Sequence, residues 1–299
     1  MIFVFSFILR ISSQISETVF AFNSSPWSGQ TGVPILENSN FFKLDCGFQN
    51  YDFNETFINA LIASIAGFSA IDVKASSEII NATSNAINEA KIISKNYSIP
   101  FSKSPIIFAS EKLSLLNKDL FELENKFSNF KKQKFDIFEI HVDKDDKQSL
   151  RNILLLLKKY LNDKAISINI SRKFLSNASV IEILKLVNSQ FSNNFIVEVD
   201  GQTPTTHIYN SYNDTMQTIS IADIINKELK SKEIRFSRIP LLLSGGINST
   251  TREFARQCGV RFNGISIKKS QLSSLKNIRI DNFNNERNLN LISEVIENF

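Results

Sequence analysis

Arg238-Ile-Pro-Leu-Leu-Leu-Ser-Gly-Gly-Ile-Asn-Ser-Thr-Thr-Arg-Glu253 decides how the chain reads. Leu241 to Leu243 form a short, wholly apolar run, the pattern of a strand buried on both faces of a parallel sheet. Ser244-Gly245-Gly246 break it, and two glycines permit a tight turn that a ligand can approach closely. Thr250 and Glu253 have capping-box spacing, which predicts a helix starting there. Strand, glycine turn and helix make one βα unit, whose free backbone N–H groups favour an anion near Ser244, Gly245, Gly246 and Asn248. A lone Ser-Gly-Gly is a weak motif, and a plain turn without a ligand reads equally well.

Working outward, the same unit recurs. Strands are predicted at Phe41–Gly47, Ala70–Lys74, Pro105–Ser110, Phe135–Val142, Ala165–Ile170, Phe195–Asp200, Leu241–Ser244 and Gly264–Lys268. Helices are predicted between them at Asn54–Ala66, Ser77–Lys95, Leu113–Phe130, Gln148–Leu161, Ser179–Ser189, Ile219–Leu229 and Thr251–Cys258, with Leu289–Asn298 closing the chain. Eight such units of ~30 residues predict an α/β fold, a (β/α)8 TIM-type barrel over residues 39–299. A doubly wound open sheet is the alternative.

The first 38 residues differ. Met1 to Leu9 are almost entirely apolar, then come Arg10, a Ser/Thr-rich stretch and a linker containing Pro26, Gly29, Gly32 and Pro34. The run is roughly half of the ~20 residues a membrane span needs. Residues 1–38 are therefore expected to be a targeting leader and linker, leaving no membrane segment in the mature form.

Composition narrows the function. The net charge is +4 over 299 residues, and Lys and Arg are scattered among acids without aromatic interleaving. Nucleic acid is therefore not the expected partner. Cys46 and Cys258 are the only cysteines, too few for a four-cysteine zinc or iron–sulfur site.

A barrel also constrains side chains, because alternate strand residues point inward and reactive groups belong at the C-terminal strand ends. The apolar members of each strand must face the helices. That turns Lys43 and Asp45, Asp72 and Lys74, Glu139, His141 and Asp143, Ser167 and Asn169, and Glu198 and Asp200 inward. Lys74, Glu139, His141 and Asp200 are the candidates for acid–base work. Asp45, Asp72, Asn169, Glu198, Gly201, Ser244, Gly245, Gly246, Asn248 and Lys268 are candidate ligand contacts. Glu139, His141, Asp200 and the glycine turn are expected to share one pocket. A carboxylate beside His141 raises the imidazole's pKa unless burial dominates.

Three other uses of these groups stay open. Lys43 and Lys74 against Asp72, Glu139 and Glu198 make an ion-pair network that needs no ligand. Lys74 or Lys268 could form a Schiff base if desolvation lowers its pKa. Asp45, Glu139, His141 and Asp200 offer metal ligands, but no His-x-His or Asp-x-Asp spacing supports a metal site. His207 lies in a long polar loop and reads as part of a lid.

Four blocks resemble the light-dependent period protein (LdpA) family of photosynthetic lineages, over about Phe41 to Ser270. They are Phe42-Lys-Leu-Asp-Cys-Gly47 with Ala70-Ile-Asp-Val-Lys-Ala75, Glu139-Ile-His141, Asp200-Gly201 with its polar loop, and Ser244-Gly-Gly-Ile-Asn248. The resemblance implies a redox-linked regulatory role in the circadian clock and a plastid (stroma) location. Family members also carry a cysteine-rich, ferredoxin-like insert between the second helix and the fourth strand. Here that region, from Ile99 to Ser110 and through the following helix, holds no cysteine, so no iron–sulfur cofactor is expected. The Arg-Pro-Met of the sixth loop is Gln202-Thr203-Pro204, and the Gly-Ser after the eighth strand is Lys268-Lys269. The leading expectation is a cluster-free regulatory or ligand-sensing barrel with a protein partner. A barrel enzyme, lyase/aldolase- or isomerase-like, acting on a small anionic metabolite is the alternative, and a non-catalytic scaffold the third reading.

Overall fold

The structure is a computed structural model, and it describes residues 41–47, 52–97, 101, 103–116, 119–171, 176–192, 194–201, 212–230, 239–245, 247 and 249–269. The leader and linker of residues 1–38, the His207 loop, Gly246, Asn248 and the Leu289–Asn298 helix lie outside these residues.

Eight parallel strands close into a barrel in sequence order. They are β1 (Phe41–Asp45), β2 (Ala70–Lys74), β3 (Ile106–Lys112), β4 (Ile137–Val142), β5 (Ala165–Ser171), β6 (Phe195–Asp200), β7 (Leu241–Ser244) and β8 (Gly264–Lys268). The ring closes where Phe41–Asp45 pair with Gly264–Lys268. The intervening helices are α1 (Phe53–Ile65), α2 (Ser77–Tyr97), α3 (Leu120–Phe130), α4 (Lys147–Tyr160), α5 (Asn177–Phe191), α6 (Tyr212–Lys230) and α7 (Ser249–Gln257).

Local chemistry sets the helix starts. Asp52, Asp119, Asp146 and Ser176 each accept a backbone N–H from the first turn of α1, α3, α4 and α5, which satisfies donors a helix leaves orphaned. The same effect corrects two boundaries. The helix read from Leu113 is a 3-10 turn, Leu113–Leu115, with α3 starting only after the Asp119 cap. The third strand accordingly runs on to Lys112 instead of stopping at Ser110. In addition, α6 starts at Tyr212, seven residues before the apolar periodicity at Ile219 becomes visible. Thr250 lies inside α7 and is not its cap, since the helix begins at Ser249.

Two apolar clusters follow from strand alternation. The large one joins the outward residues of the strands, such as Ile71, Val73, Ile140, Ile168, Val197 and Leu243, to the helices. The small one is inside the barrel: Phe41, Ala70, Phe108, Ile137, Ala165, Ile196 and Leu242 form its floor. Among the described residues, the inward side chains of the strands beyond that floor, toward the C-terminal ends, are polar.

Gly264 lets the floor close. A Cβ there would stand 2.3 Å from the Phe41 carbonyl oxygen and 2.7 Å from Phe41 Cβ. Backbone cannot yield cheaply, so Gly264→Ala should lower stability by ~2–3 kcal/mol, read as a fall in the urea midpoint. An unchanged midpoint would mean that β1 and β8 are not so closely opposed.

Candidate functional site

One cation organises the polar layer above the floor. Lys43 is completely buried, its Nζ 3.1 Å from Asp72 Oδ2, 3.0 Å from Glu139 Oε1 and 2.6 Å from Glu198 Oε2. The ammonium also lies 4.7 Å from the centroid of the Phe108 ring in the floor. Neighbouring strands complete the carboxylates' bonding. Ser110 Oγ donates to Asp72, Ser167 Oγ to Glu139 Oε2 at 2.6 Å, and Asn169 Nδ2 to Glu198 Oε1 at 3.1 Å.

The next layer reaches the mouth. His141 Nε2 is 3.1 Å from Glu139 Oε1, with 13% of its side chain exposed. Lys268 Nζ pairs with Asp200 Oδ2 at 2.7 Å. Asp45 is buried beside them and accepts the Gly47 N–H at 2.7 Å. Lys74 and Lys112 end β2 and β3 on the same inward parity, both half-buried.

Three carboxylates cannot all ionise against one ammonium in a dry interior. Burial works against charge on Lys43, but Asp72, Glu139, Glu198 and Asp45 together hold its pKa well above the ordinary value. Burial likewise opposes ionisation of Glu139, yet Lys43 and the hydrogen bonds from His141 and Ser167 outweigh it and hold this acid well below the carboxylate range. Asp72 goes the other way, pushed well up by burial with Glu139 and Asp45 adding to it. Burial also lifts Glu198 to about 7, against the pull of Lys43. Burial disfavours the His141 imidazolium, but its hydrogen bond to Glu139 and the surrounding acids raise its pKa to about 9. Lys268 is also raised, since Asp200 and Asp45 overcome its burial.

These states bear on the uses read from sequence. Lys268 is held as an ammonium, the opposite of what a Schiff-base nucleophile needs. For a metal, the donor trio is Asp72, Glu139 and His141, with one atom each within 4.8 Å of the others. That differs from the set read from sequence. The Lys43 ammonium already occupies bonding distance of two of the three, so a divalent ion would have to displace a strongly held cation. The thiol of Cys46, at the end of β1, is pushed far up by burial and the nearby acids, while Cys258 is exposed.

The described part of the seventh βα turn is tied to α6. Gly245 is buried with φ +69°. Thr218 Oγ1 on α6 lies 2.7 Å from the Ser244 carbonyl and 2.8 Å from that of Gly245, and accepts the Gly201 N–H at 3.0 Å. Gly201 has a packing reason of its own, because a Cβ would meet Thr218 N at 2.4 Å. The Ser244 side chain nevertheless faces the interior, in register with Asp200.

Sequence parity placed Asp45, Asp72, Lys74, Glu139, His141, Asn169, Glu198 and Asp200 on the inside. It also turned Lys43 inward and named it as an ion-pair partner of Asp72, Glu139 and Glu198, the three acids it meets, but did not count it among the ligand or acid–base candidates.

No protein-family model matches the chain, and no curated protein sequence matches it. Solved structures do. "QR15, an Aldolase" is 11% identical over 80% of this chain and 92% of that one, with TM-score 0.52. A truncated 3-deoxy-D-arabino-heptulosonate 7-phosphate synthase from Thermotoga maritima is 14% identical over 87% of each chain, TM-score 0.50. Ribulose-1,5-bisphosphate carboxylase/oxygenase from Pyrococcus horikoshii is 9% identical over 90% of this chain and 67% of that one, TM-score 0.54. The fold is a TIM barrel. At such identities the likeness carries architecture alone, and the chemistry rests on the site.

The raised His141 pKa links the site to stability. Its folded value of about 9 lies above the ordinary 6.5, so this contribution is complete below pH 6.5 and is lost as pH rises through 9. The difference corresponds to about 3 kcal/mol. The urea midpoint should therefore fall across pH 6.5–9, and His141→Gln should flatten that decline. Identical slopes in both proteins would remove the imidazolium–Glu139 pair from the account.

Proposed function

We propose that the chain is a barrel enzyme that moves protons on a small anionic metabolite, isomerase- or lyase-like in reaction type. The carrying observation is the buried Lys43 ammonium shared by Asp72, Glu139 and Glu198, with His141 3.1 Å from Glu139. A purely structural interior would gain by replacing such a cluster with packed apolar side chains. Groups poised to hold or release protons near neutrality cluster where proton transfer is performed.

In this reading Glu139 holds the imidazolium, and His141 donates to an oxygen that gains negative charge as the ligand loses a proton. Glu198, with its pKa of about 7, is the proton acceptor. Lys43 stabilises the ionised acids without touching the ligand. Lys268, tied to Asp200, and Lys74 supply positive charge at the rim for the ligand's anionic group.

A second reading is a plastid regulatory barrel that binds such a ligand without turnover, resembling the light-dependent period family. Its support is positional: the described residues of the resembling blocks fall on the strands that build the mouth, Asp45 to Gly47, Asp72 to Ala75, Glu139 to His141, Asp200 with Gly201, and Ser244 with Gly245. On that reading residues 1–38 act as the stromal targeting leader and the partner is a protein.

Proton exchange separates the two. Small hydroxy acids, oxo acids and phosphate esters are incubated with the protein in D2O, and deuterium incorporation is followed by NMR. The enzyme reading expects exchange that plateaus between about pH 7 and about pH 9, where Glu198 is ionised and His141 protonated. His141→Ala should reduce it ~100-fold or more with the circular dichroism unchanged. Binding of a panel member without exchange supports the regulatory reading. Neither binding nor exchange leaves the scaffold.

A further inference from the structure

The middle polar layer contains four inward serines, one on each of β3, β5, β7 and β8. Two of them are used within the protein: Ser110 bonds Asp72 and Ser167 bonds Glu139. The other two, Ser244 and Ser266, are completely buried, and their hydroxyls have no hydrogen-bond partner among the described residues.

Their placement is well defined. Asp200 pairs with Ser244 across β6–β7, and Lys43 pairs with Ser266 across β1–β8. The β7–β8 pairing ends at Leu243–Ile265, and Ser244 and Ser266 are the next residues of the two strands. In-register neighbours share a face, so both hydroxyls point where Asp200 and Lys43 point, into the barrel. Ser244 also stands two residues beyond the Leu242 that pairs with Glu198. Ser110 has the same offset from the Phe108 that pairs with Asp72, and Ser110 bonds its carboxylate. The equivalent bond to Glu198 is not made.

We propose that Ser244 and Ser266, with Glu198, form an inner subsite that recognises a hydroxyl group of the ligand. A buried hydroxyl without a partner forfeits the bond it makes in water, and native interiors seldom tolerate that twice in one place. The chemistry of the subsite fits a neutral group that both donates and accepts. An anion would meet the carboxyl groups of Asp72, Glu139 and Glu198 there, which already occupy Lys43. The cations able to take an anion, Lys74, Lys112, His141 and Lys268, lie one layer further out. The ligand is therefore hydroxylated at its inner end and anionic at its outer end. This rests on the anionic-metabolite reading above and adds which end enters first.

The test compares glycerol 3-phosphate with propyl phosphate, which keeps the phosphate and lacks both hydroxyls, by calorimetry on the full chain. Tighter binding of glycerol 3-phosphate by tenfold or more is expected. The double variant Ser244→Ala/Ser266→Ala should bring the two esters within twofold of each other and leave propyl phosphate affinity unchanged. Its thermal midpoint should equal or exceed that of the parent, because no protein hydrogen bond is removed. Equal affinity of the two esters for the parent, or discrimination that survives both substitutions, overturns the subsite while leaving the anionic ligand in place. A lowered midpoint overturns it too, by showing that the hydroxyls serve the fold. Failure of both esters to bind removes the anionic reading and this proposal with it.

Discussion

Lys43 imposes the constraint on which the interior depends. A primary ammonium with no solvent contact must be matched by negative charge at hydrogen-bond distance. The barrel supplies three carboxylates from three strands, β2, β4 and β6, where one would neutralise it. The excess acid then needs its own neutralisation. Glu139 obtains it from His141 and Ser167, while Asp72 and Glu198 retain protons more tightly than exposed acids do. Proton affinity in the mouth is thus a direct consequence of charge counting around one side chain. The strand ends that hold these groups are rigid, being paired on both sides in a closed sheet.

The interior is also graded along the barrel axis. An apolar floor supports the ammonium layer, and a mixed rim with Lys268, Lys74 and His141 lies toward solvent. Alternation of small serines with long charged residues lets eight side chains share this cross-section.

Much of this was legible in the sequence because barrels encode it twice. Strand runs such as Ile71-Asp72-Val73-Lys74 carry the outward apolar requirement on one parity, which assigns the inward parity without reference to any partner. The eightfold repeat of strand and helix favours closure over an open sheet, and the β1–β8 pairing shows it. Less was legible where a local interaction overrides periodicity. Asp119 moves the start of α3 by capping, and the polar first turns of α6 hide its beginning. Parity named Lys43 and Lys74 together against Asp72, Glu139 and Glu198, but it did not single out Lys43 as the lysine that meets all three. Which lysine meets which acid depends on the stagger between strands that are 29 to 155 residues apart in sequence, and no local pattern reports that stagger. The Gly201 contact with Thr218 is of the same kind, since the glycine's reason lies on another element.

The central claim is that Lys43 and the surplus acids set a proton-binding group near neutrality. Its most direct measurement is carboxyl 13C NMR of glutamate-labelled protein across pH 4–10, with Glu198→Gln to assign the resonance. Glu198 should titrate at about 7, and Lys43→Met should move that midpoint upward, because the carboxylate loses its nearest cation. A Glu198 carboxyl titrating in the ordinary range near 4.5, or one indifferent to the loss of Lys43, would contradict the account.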